Sequence, residues 1–173
     1  MDKKKGILFW LTGLSGSGKT TLAKSIHKNL IKLYGPTLLI SGDDLRRIFN
    51  FKGYSLKERE ILSEKYCKLA KFITNQNINL IFATVAMMDK PRMWNKKNIK
   101  NYVEIFIKSN VKTIIKSKKK KKLYQNKIKK NLVGINIKPE YPKNPDIIIV
   151  NNFDKSIKDL SKQLLNKINK LIK

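Results

Sequence analysis

The residues best suited to chemistry stand in one glycine-rich segment, residues 13–20, which reads GLSGSGKT. It matches the pattern G-x-x-x-x-G-K-[ST], in which backbone N–H groups surround phosphates and a lysine reaches the terminal ones. Lys19 is the candidate for that catalytic role, and the Thr20 hydroxyl is a candidate ligand for Mg²⁺. The segment therefore predicts a nucleoside triphosphate site, without separating hydrolysis from phosphate transfer. The predicted ATP-binding residues are Gly13, Leu14, Ser15, Gly16, Ser17, Gly18, Lys19, Thr20 and, directly after the segment, Thr21.

A second group of reactive side chains, in Gly42-Asp43-Asp44-Leu45-Arg46, follows an apolar run. A carboxylate at the carboxyl end of a parallel strand can hold Mg²⁺ through water or accept the proton of an attacking hydroxyl. An arginine one helical turn later can bind an acceptor phosphate. The alternative is structural, with one of the aspartates capping a helix and Arg46 in solvent.

The elements that must position these groups follow from the periodicity. Short apolar runs predict strands, and patterns of period 3.6 predict helices, the longest capped by Ser55 with Glu58 three residues later. Strands alternating with helices predict an α/β fold with a parallel sheet covered on both faces. The length of 173 residues favours a single domain over residues 1–173. Predicted strands are 6–11, 37–40, 78–83, 102–107 and 147–150; predicted helices are 20–33, a short one ending at 49, 56–74, 91–99 and 156–172.

The charge is strongly positive, with 39 Lys+Arg against 12 Asp+Glu and a formal net charge of +27. Such a field attracts phosphates and polyanions but identifies no partner, and scattered lysines are typical of solvated faces. The lysine run at residues 118–122 has three interpretations: a lid that closes over phosphates, a polyanion patch or a solubilising loop. Basic stretches interleaved with aromatic residues are missing, so we expect no specific nucleic-acid partner.

The remaining composition favours a cytoplasmic protein. The sequence contains no apolar run of the roughly 20 residues that cross a bilayer, and no signal-peptide pattern precedes the first strand. Cys67 is the single cysteine and cannot form an intramolecular disulfide. Its apolar neighbourhood indicates a buried thiol and not a nucleophile.

The sequence resembles the adenylylsulfate kinases, which phosphorylate the ribose 3′-hydroxyl of adenosine 5′-phosphosulfate (APS) with MgATP. The most specific likeness is FWLTGLSGSGKTTLA at residues 9–23, followed by GDDLR at 42–46, GYSLKER at 53–59 and PEYPKNPD at 139–146. The resemblance covers about residues 6–151. It implies a three-layer P-loop kinase fold with a mainly parallel five-stranded sheet, Mg²⁺ with ATP as phosphate donor, a lysine-rich lid at about 109–141, and a homodimer.

The resemblance also implies roles for individual residues. Asp43 is the candidate base for the attacking hydroxyl and, with Thr20, a metal ligand; Arg46 and Arg59 bind the anionic tail of the acceptor. Lys121 corresponds to a lid lysine of the family. The acceptor-binding residues expected by this likeness are Arg46, Arg59, Tyr54, Leu62, Thr84, Val85, Lys121, Leu132, Gly134 and Ile135.

The sequence departs from the family pattern mainly at the acceptor. Leu62 stands where the family has an asparagine that holds the acceptor, and Ala83-Thr84-Val85-Ala86 replaces the family's I-S-P-[YH]. Tyr54 keeps one of two rings that enclose adenine, whereas Leu132 replaces the other. A pocket loses affinity when the groups that hydrogen-bond its substrate are removed, so these changes argue against APS as the main acceptor.

Three functions are compatible with the sequence. The departures resemble the cytidine diphosphoramidate kinase branch of the family, from the capsule phosphoramidate pathway, whose acceptor also carries a charged 5′ tail and a free 3′-hydroxyl. The first alternative is an adenylylsulfate kinase with a diverged pocket. A more distant alternative is a polyanion-binding protein that uses the glycine-rich loop only to bind nucleotide.

Overall fold

The core of the fold is a five-stranded parallel sheet. The structure is a computed structural model, and it describes residues 5–117, 124 and 131–172. The strand order is β2-β3-β1-β4-β5. All five residues of β1 and β3 are buried, as expected for apolar runs at the centre of a covered sheet. The strands are β1 (Leu8–Thr12), β2 (Thr37–Ser41), β3 (Asn79–Ala83), β4 (Tyr102–Lys108) and β5 (Ile147–Val150).

Helices cover both faces of this sheet. On one face, α1 and α6 bury Leu22, Ile26 and Leu164 against β1, β4 and β5. On the other, α3 and α4 cover Trp10 and Phe82. The helices are α1 (Lys19–Tyr34), α2 (Gly42–Ile48), α3 (Leu56–Asn75), α4 (Asp89–Asn98), α5 (Val111–Lys116) and α6 (Ile157–Ile172).

The predicted α/β architecture is confirmed, with element ends that differ by a few residues. Ser55 caps α3, and Glu58 completes the capping box as expected. Helix α5 was not predicted, although Asn110 caps it through the Thr113 N–H. Among the described helices, none combines the length and apolar character needed to span a membrane.

The register of the sheet determines where the functional segments meet. Leu11 of β1 lies beside Ala83 of β3, and Thr12 lies beside Phe106 of β4. Because the strands are parallel, the segments that follow β1, β2, β3 and β5 emerge at the same edge. The glycine-rich loop of residues 13–18 is one of them.

Candidate active site

The glycine-rich loop between β1 and α1 is shaped by positions that exclude a side chain. Gly13 and Gly18 have φ of +148° and +97°, which L-residues rarely adopt. A Cβ on Gly13 would lie 2.5 Å from the Ile107 carbonyl oxygen, and one on Gly18 would lie 2.7 Å from Asn151 Nδ2. The loop therefore fits closely against the ends of β4 and β5, and its backbone is available to surround phosphate.

Lys19 is held within this loop. Its side chain is buried, and Nζ donates to the carbonyl oxygens of Gly13 at 2.9 Å and Leu14 at 2.7 Å. Lys19 also lines the cleft next to the loop, so the same ammonium group can turn from carbonyl oxygens to phosphate oxygens.

Asn151, directly after the edge strand β5, connects the loop to the end of that strand. Its side chain is buried, and Nδ2 donates to the Ser17 carbonyl oxygen at 3.0 Å. Its Oδ1 accepts from the N–H of Phe153 at 3.0 Å. Asn151 and Phe153 line the cleft, and sequence reasoning missed both. The available signal was a polar residue at the carboxyl end of a predicted parallel strand.

The two aspartates of α2 have different surroundings. Ser41 is the N-cap, accepting from the Asp44 N–H, so neither aspartate has the capping role that the sequence left open. The Asp44 carboxylate accepts from the Ser41 hydroxyl at 2.6 Å and pairs with Arg47 at 2.8 Å. Asp43 lines the cleft, whereas Asp44 does not.

Arg46 and Arg59 form a cationic cluster around Tyr54. The Arg46 guanidinium carbon lies 4.3 Å from the centre of the Tyr54 ring, and that of Arg59 lies 5.5 Å from it. Arg46 Nη1 donates to the Gly53 carbonyl oxygen at 2.5 Å. Arg59 Nε donates to the Tyr54 carbonyl oxygen at 2.9 Å, and Nη2 donates to that of Asn131 at 3.0 Å. Burial, and after it the charge of Arg46, lowers the pKa of Arg59. Two adjacent cations that repel each other favour an anion between them.

The wall beside this cluster is largely apolar. Leu62 is 3% exposed and belongs to the core together with Tyr66. The Tyr66 hydroxyl donates to the Gly42 carbonyl oxygen at 3.0 Å, and burial raises the pKa of Tyr66 to about 12. Thr84 is buried and contributes a hydroxyl to the same wall. The predicted Val85 also lines it.

The predicted lid is described only in part. The Tyr124 hydroxyl donates to the Ser15 carbonyl oxygen at 2.8 Å, and burial raises the pKa of Tyr124 to about 12. Tyr124 also packs in a cluster with Leu14 and Val133. Lys121 and the lysine run of residues 118–122 lie outside the described residues.

These elements enclose a cleft of about 960 Å³. Gly134 and Ile135 were expected in the acceptor site, but neither lines the cleft. Gly134 lies against Leu14, since a Cβ there would be 3.2 Å from Leu14 Cδ2, and Ile135 is 54% exposed. Gly13, Leu14 and Ser17 belong to the loop but do not line the cleft. The predicted residues that line it are Ser15, Gly16, Gly18, Lys19, Thr20, Thr21, Asp43, Arg46, Tyr54, Arg59, Leu62, Thr84, Val85 and Leu132.

The fold and the phosphate loop define a P-loop kinase, and comparison with known proteins gives its family. Residues 5–150 match the family model described as adenylylsulphate kinase. The chain belongs to this family, and it is a phosphotransferase that acts on a hydroxyl group of a nucleotide.

Individual relatives carry two different names. The chain is 31% identical over 169 residues to a Campylobacter jejuni protein named cytidine diphosphoramidate kinase, covering 96% of this chain and 98% of the relative. It is 32% identical over 154 residues to an adenylyl-sulfate kinase of Clostridium acetobutylicum, covering 86% and 76%. The fold is also that of the APS kinase CysC of Mycobacterium tuberculosis, solved with AMPPNP and APS. The TM-score to CysC is 0.84 at 21% identity, over 95% of this chain and 98% of CysC.

Proposed function

We propose that the protein transfers the γ-phosphoryl group of ATP to the ribose 3′-hydroxyl of a nucleotide with a diphosphate-like 5′ tail, with cytidine 5′-diphosphoramidate as the acceptor. The observation that carries this proposal is the composition of the acceptor half of the cleft. Arg46 and Arg59 can bind a charged tail, whereas Leu62 presents an apolar side chain where the family has an acceptor-binding asparagine. The relative named cytidine diphosphoramidate kinase supports the same acceptor.

The donor half of the cleft binds ATP in this proposal. The loop N–H groups and the N-terminus of α1 surround the β- and γ-phosphates, and Lys19 moves from the Gly13 and Leu14 carbonyl oxygens to the phosphates. Its ammonium group then neutralises charge that develops on the transferring phosphoryl group.

The donor set in the cleft fits Mg²⁺. In phosphate sites Mg²⁺ is usually held by one or two protein oxygens together with substrate phosphates and waters. The Thr20 hydroxyl and the Asp43 carboxylate are oxygen donors that line the same cleft, and they would hold it. When bound, Mg²⁺ neutralises part of the triphosphate charge.

Asp43 acts on the acceptor hydroxyl. The 3′-oxygen forms a bond to the γ-phosphorus while the bond from that phosphorus to the β,γ-bridging oxygen breaks, and ADP leaves. The Asp43 carboxylate accepts the proton that the 3′-hydroxyl releases. Asp44 has no such role, because its carboxylate is engaged with Ser41 and Arg47.

Residues 109–141 serve as a lid over the bound nucleotides, within a single domain of residues 1–173. The contact between Tyr124 and the Ser15 carbonyl oxygen supports this proposal, because it joins the segment to the phosphate loop. In the same way, Arg59 reaches the Asn131 carbonyl oxygen and links the acceptor cluster to the end of the segment. The expected homodimer stays a prediction.

The proposed reaction can be tested by locating the transferred phosphate. Purified protein is incubated with MgATP and cytidine diphosphoramidate or CDP, and the product is examined by ³¹P NMR. Coupling of the new phosphorus to the ribose H3′ is expected. As matched controls, the 3′-deoxy analogue of CDP should give no product, whereas the 2′-deoxy analogue should be phosphorylated. Phosphate on the tail, or turnover of the 3′-deoxy compound, would contradict the proposal.

An adenylylsulfate kinase is the second candidate. The relatives named adenylyl-sulfate kinase, at similar identity, favour it. In that case APS, bound by the same two arginines, would replace the cytidine nucleotide as acceptor, and the donor chemistry would be unchanged.

A further inference from the structure

A segment without regular structure, residues 84–88, joins β3 to α4 and forms part of the acceptor half of the cleft. Thr84 and Val85 line the cleft, whereas Ala86 and Met87 are buried behind it. A segment of this kind keeps its shape only through contacts from behind, and the side chains that hydrogen-bond to it there include Thr12 and Arg92.

Arg92 lies on the first turns of α4 and is 4% exposed. Its Nη1 donates to the Ala86 carbonyl oxygen at 3.2 Å, and Nη2 donates to the Asp89 carboxylate and, at 2.9 Å, to the Glu140 carbonyl oxygen. Its Nε lies 3.0 Å from Oε1 of the buried Glu104 on β4. One guanidinium thus joins four parts of the chain, and its planar, rigid donor set suits this use.

The Ala86 carbonyl oxygen is a junction between the two halves of the cleft. It also accepts a hydrogen bond from the Thr12 hydroxyl at 3.1 Å. Thr12 is the last residue of β1 and directly precedes the phosphate loop. A carbonyl oxygen has two lone pairs, so these two donors fill its hydrogen-bonding capacity. The position of Ala86 is therefore fixed relative to the start of the loop.

Glu140 adds a second link on the outer side of the segment. Its N–H donates to the Met87 carbonyl oxygen at 2.9 Å, and its carboxylate accepts from the N–H of Asp89. Because Arg92 binds the Glu140 carbonyl oxygen, Arg92 and Glu140 together hold both ends of residues 86–89.

The geometry points to Arg92 as a positioning residue for the acceptor: it does not line the cleft, and it acts through the Ala86 carbonyl oxygen and Glu140 on the wall formed by Thr84 and Val85. This inference rests on the proposed function in one respect, the assignment of that wall to the acceptor. Displacement of a binding wall by about 1 Å is enough to lower the efficiency of a kinase strongly.

The kinetic test compares Arg92→Gln, Arg92→Lys and Glu140→Ala with Lys90→Gln, which removes an exposed charge from the same helix. For Arg92→Gln the KM for the acceptor should rise about tenfold while the KM for ATP changes less than about twofold. Arg92→Lys should recover little, since an ammonium group does not reproduce the planar donor set. Glu140→Ala should show a weaker form of the same pattern, and Glu140→Gln should restore it. Equal rises of both KM values, or none, would overturn the inference.

Hydrogen exchange followed by mass spectrometry gives a readout that does not depend on turnover. Arg92→Gln and Glu140→Ala should speed exchange in peptides covering residues 84–90 and 138–142 and leave residues 13–22 unchanged. Uniformly faster exchange, or none, would overturn the role of Arg92. Glu140 is exposed, so Glu140→Ala keeps the test valid if Arg92→Gln does not fold. If the wild type phosphorylates no nucleotide, the proposed function fails, while the exchange data still decide this inference.

Discussion

The two halves of the cleft are built from different materials. The donor half consists mainly of backbone: a loop with glycines at positive φ, two carbonyl oxygens that hold Lys19, and the Asn151 amide beneath it. The acceptor half consists of side chains, chiefly Arg46, Tyr54 and Leu62. A half built from backbone tolerates few substitutions, because an added side chain would displace the backbone that forms the site.

A half built from side chains can change its ligand while the fold stays the same. Leu62, where the resemblance places an asparagine, packs in the core that includes Tyr66 and lies within the continuous helix α3. In the proposed function, the phosphate donor is therefore set by the architecture of the fold, whereas the acceptor is set by a few side chains that line the cleft.

Removal of Lys19 should break the donor half and have the largest effect. We expect Lys19→Ala to lower kcat by about 10³-fold, because the variant lacks the positive charge that Lys19 supplies to the transferring phosphoryl group. Steady-state kinetics with MgATP measures this. Lys24→Ala, an exposed lysine on the same helix, is the control. Near-normal phosphoryl transfer by Lys19→Ala would remove the loop from the mechanism.

Asp43 lies between the donor and acceptor halves of the cleft, and its substitution should have the second largest effect on kcat. Asp43→Asn should lower kcat by about 10²-fold with ATP affinity largely kept, the usual scale for a positioned base. Asp44→Asn, the matched control, should affect kcat far less since that carboxylate pairs with Arg47. The reverse result in the two kcat values would transfer the role of base to Asp44.

Substitution of the arginines in the acceptor half should raise KM for the acceptor and not KM for ATP. Arg46→Gln and Arg59→Gln each remove a charge-assisted bond to the tail, worth about 1.5–3 kcal/mol, so KM for the acceptor should rise about tenfold or more. KM for ATP should stay near its normal value. Arg47→Gln, an exposed arginine on α2, is the control. A parallel rise in KM for ATP would show that the halves are not separate.

Leu62 should determine acceptor choice without affecting the donor. Leu62→Asn returns an amide to the wall and should raise kcat/KM for APS about tenfold relative to the cytidine acceptor. Ile61→Asn, at an exposed position of the same helix, should leave this ratio unchanged. A thermal unfolding curve for each variant separates selectivity from loss of fold. An unchanged ratio in a folded Leu62→Asn protein would count against the proposed role of this residue.

The smallest effect concerns stability and pH. Burial raises the pKa of Glu104 to about 7, against the opposing effect of the Arg92 charge. The folded state therefore holds a proton that the unfolded state releases between about pH 4.5 and 7, so this contribution to stability is full at the acid end and lost as pH rises. Denaturant unfolding at a series of pH values gives the free energy of unfolding at each pH. The slope of this free energy against pH should differ between the wild type and Glu104→Gln within this window. Identical slopes would refute the pKa shift.

Much of the fold could be read from the sequence because local signals agreed with the tertiary structure. The capping box of Ser55 and Glu58 marked the start of α3, and the apolar runs marked five strands. Helix α5 was missed because its lysines obscure a short apolar pattern, even though Asn110 gave a cap signal.

The candidate site was readable where it lies in one segment and less so where distant segments meet. The spacing of residues 13–20 predicted the phosphate loop without help from the fold. The position of Asn151 beneath the loop depends on the pairing of β5 with β4, which no local pattern encodes. The family resemblance assigned Gly134 to the acceptor site, and in the folded chain this residue lies against Leu14 and does not line the cleft.

The central claim, that the acceptor half has changed its ligand while the donor half has not, is tested most directly by one ratio. The wild-type kcat/KM is measured for cytidine diphosphoramidate and for APS under the same conditions with saturating MgATP. We expect the ratio of kcat/KM for cytidine diphosphoramidate to that for APS to be at least about 10, because the wall offers APS no amide at position 62. A ratio below one would contradict it and identify the protein as a diverged adenylylsulfate kinase.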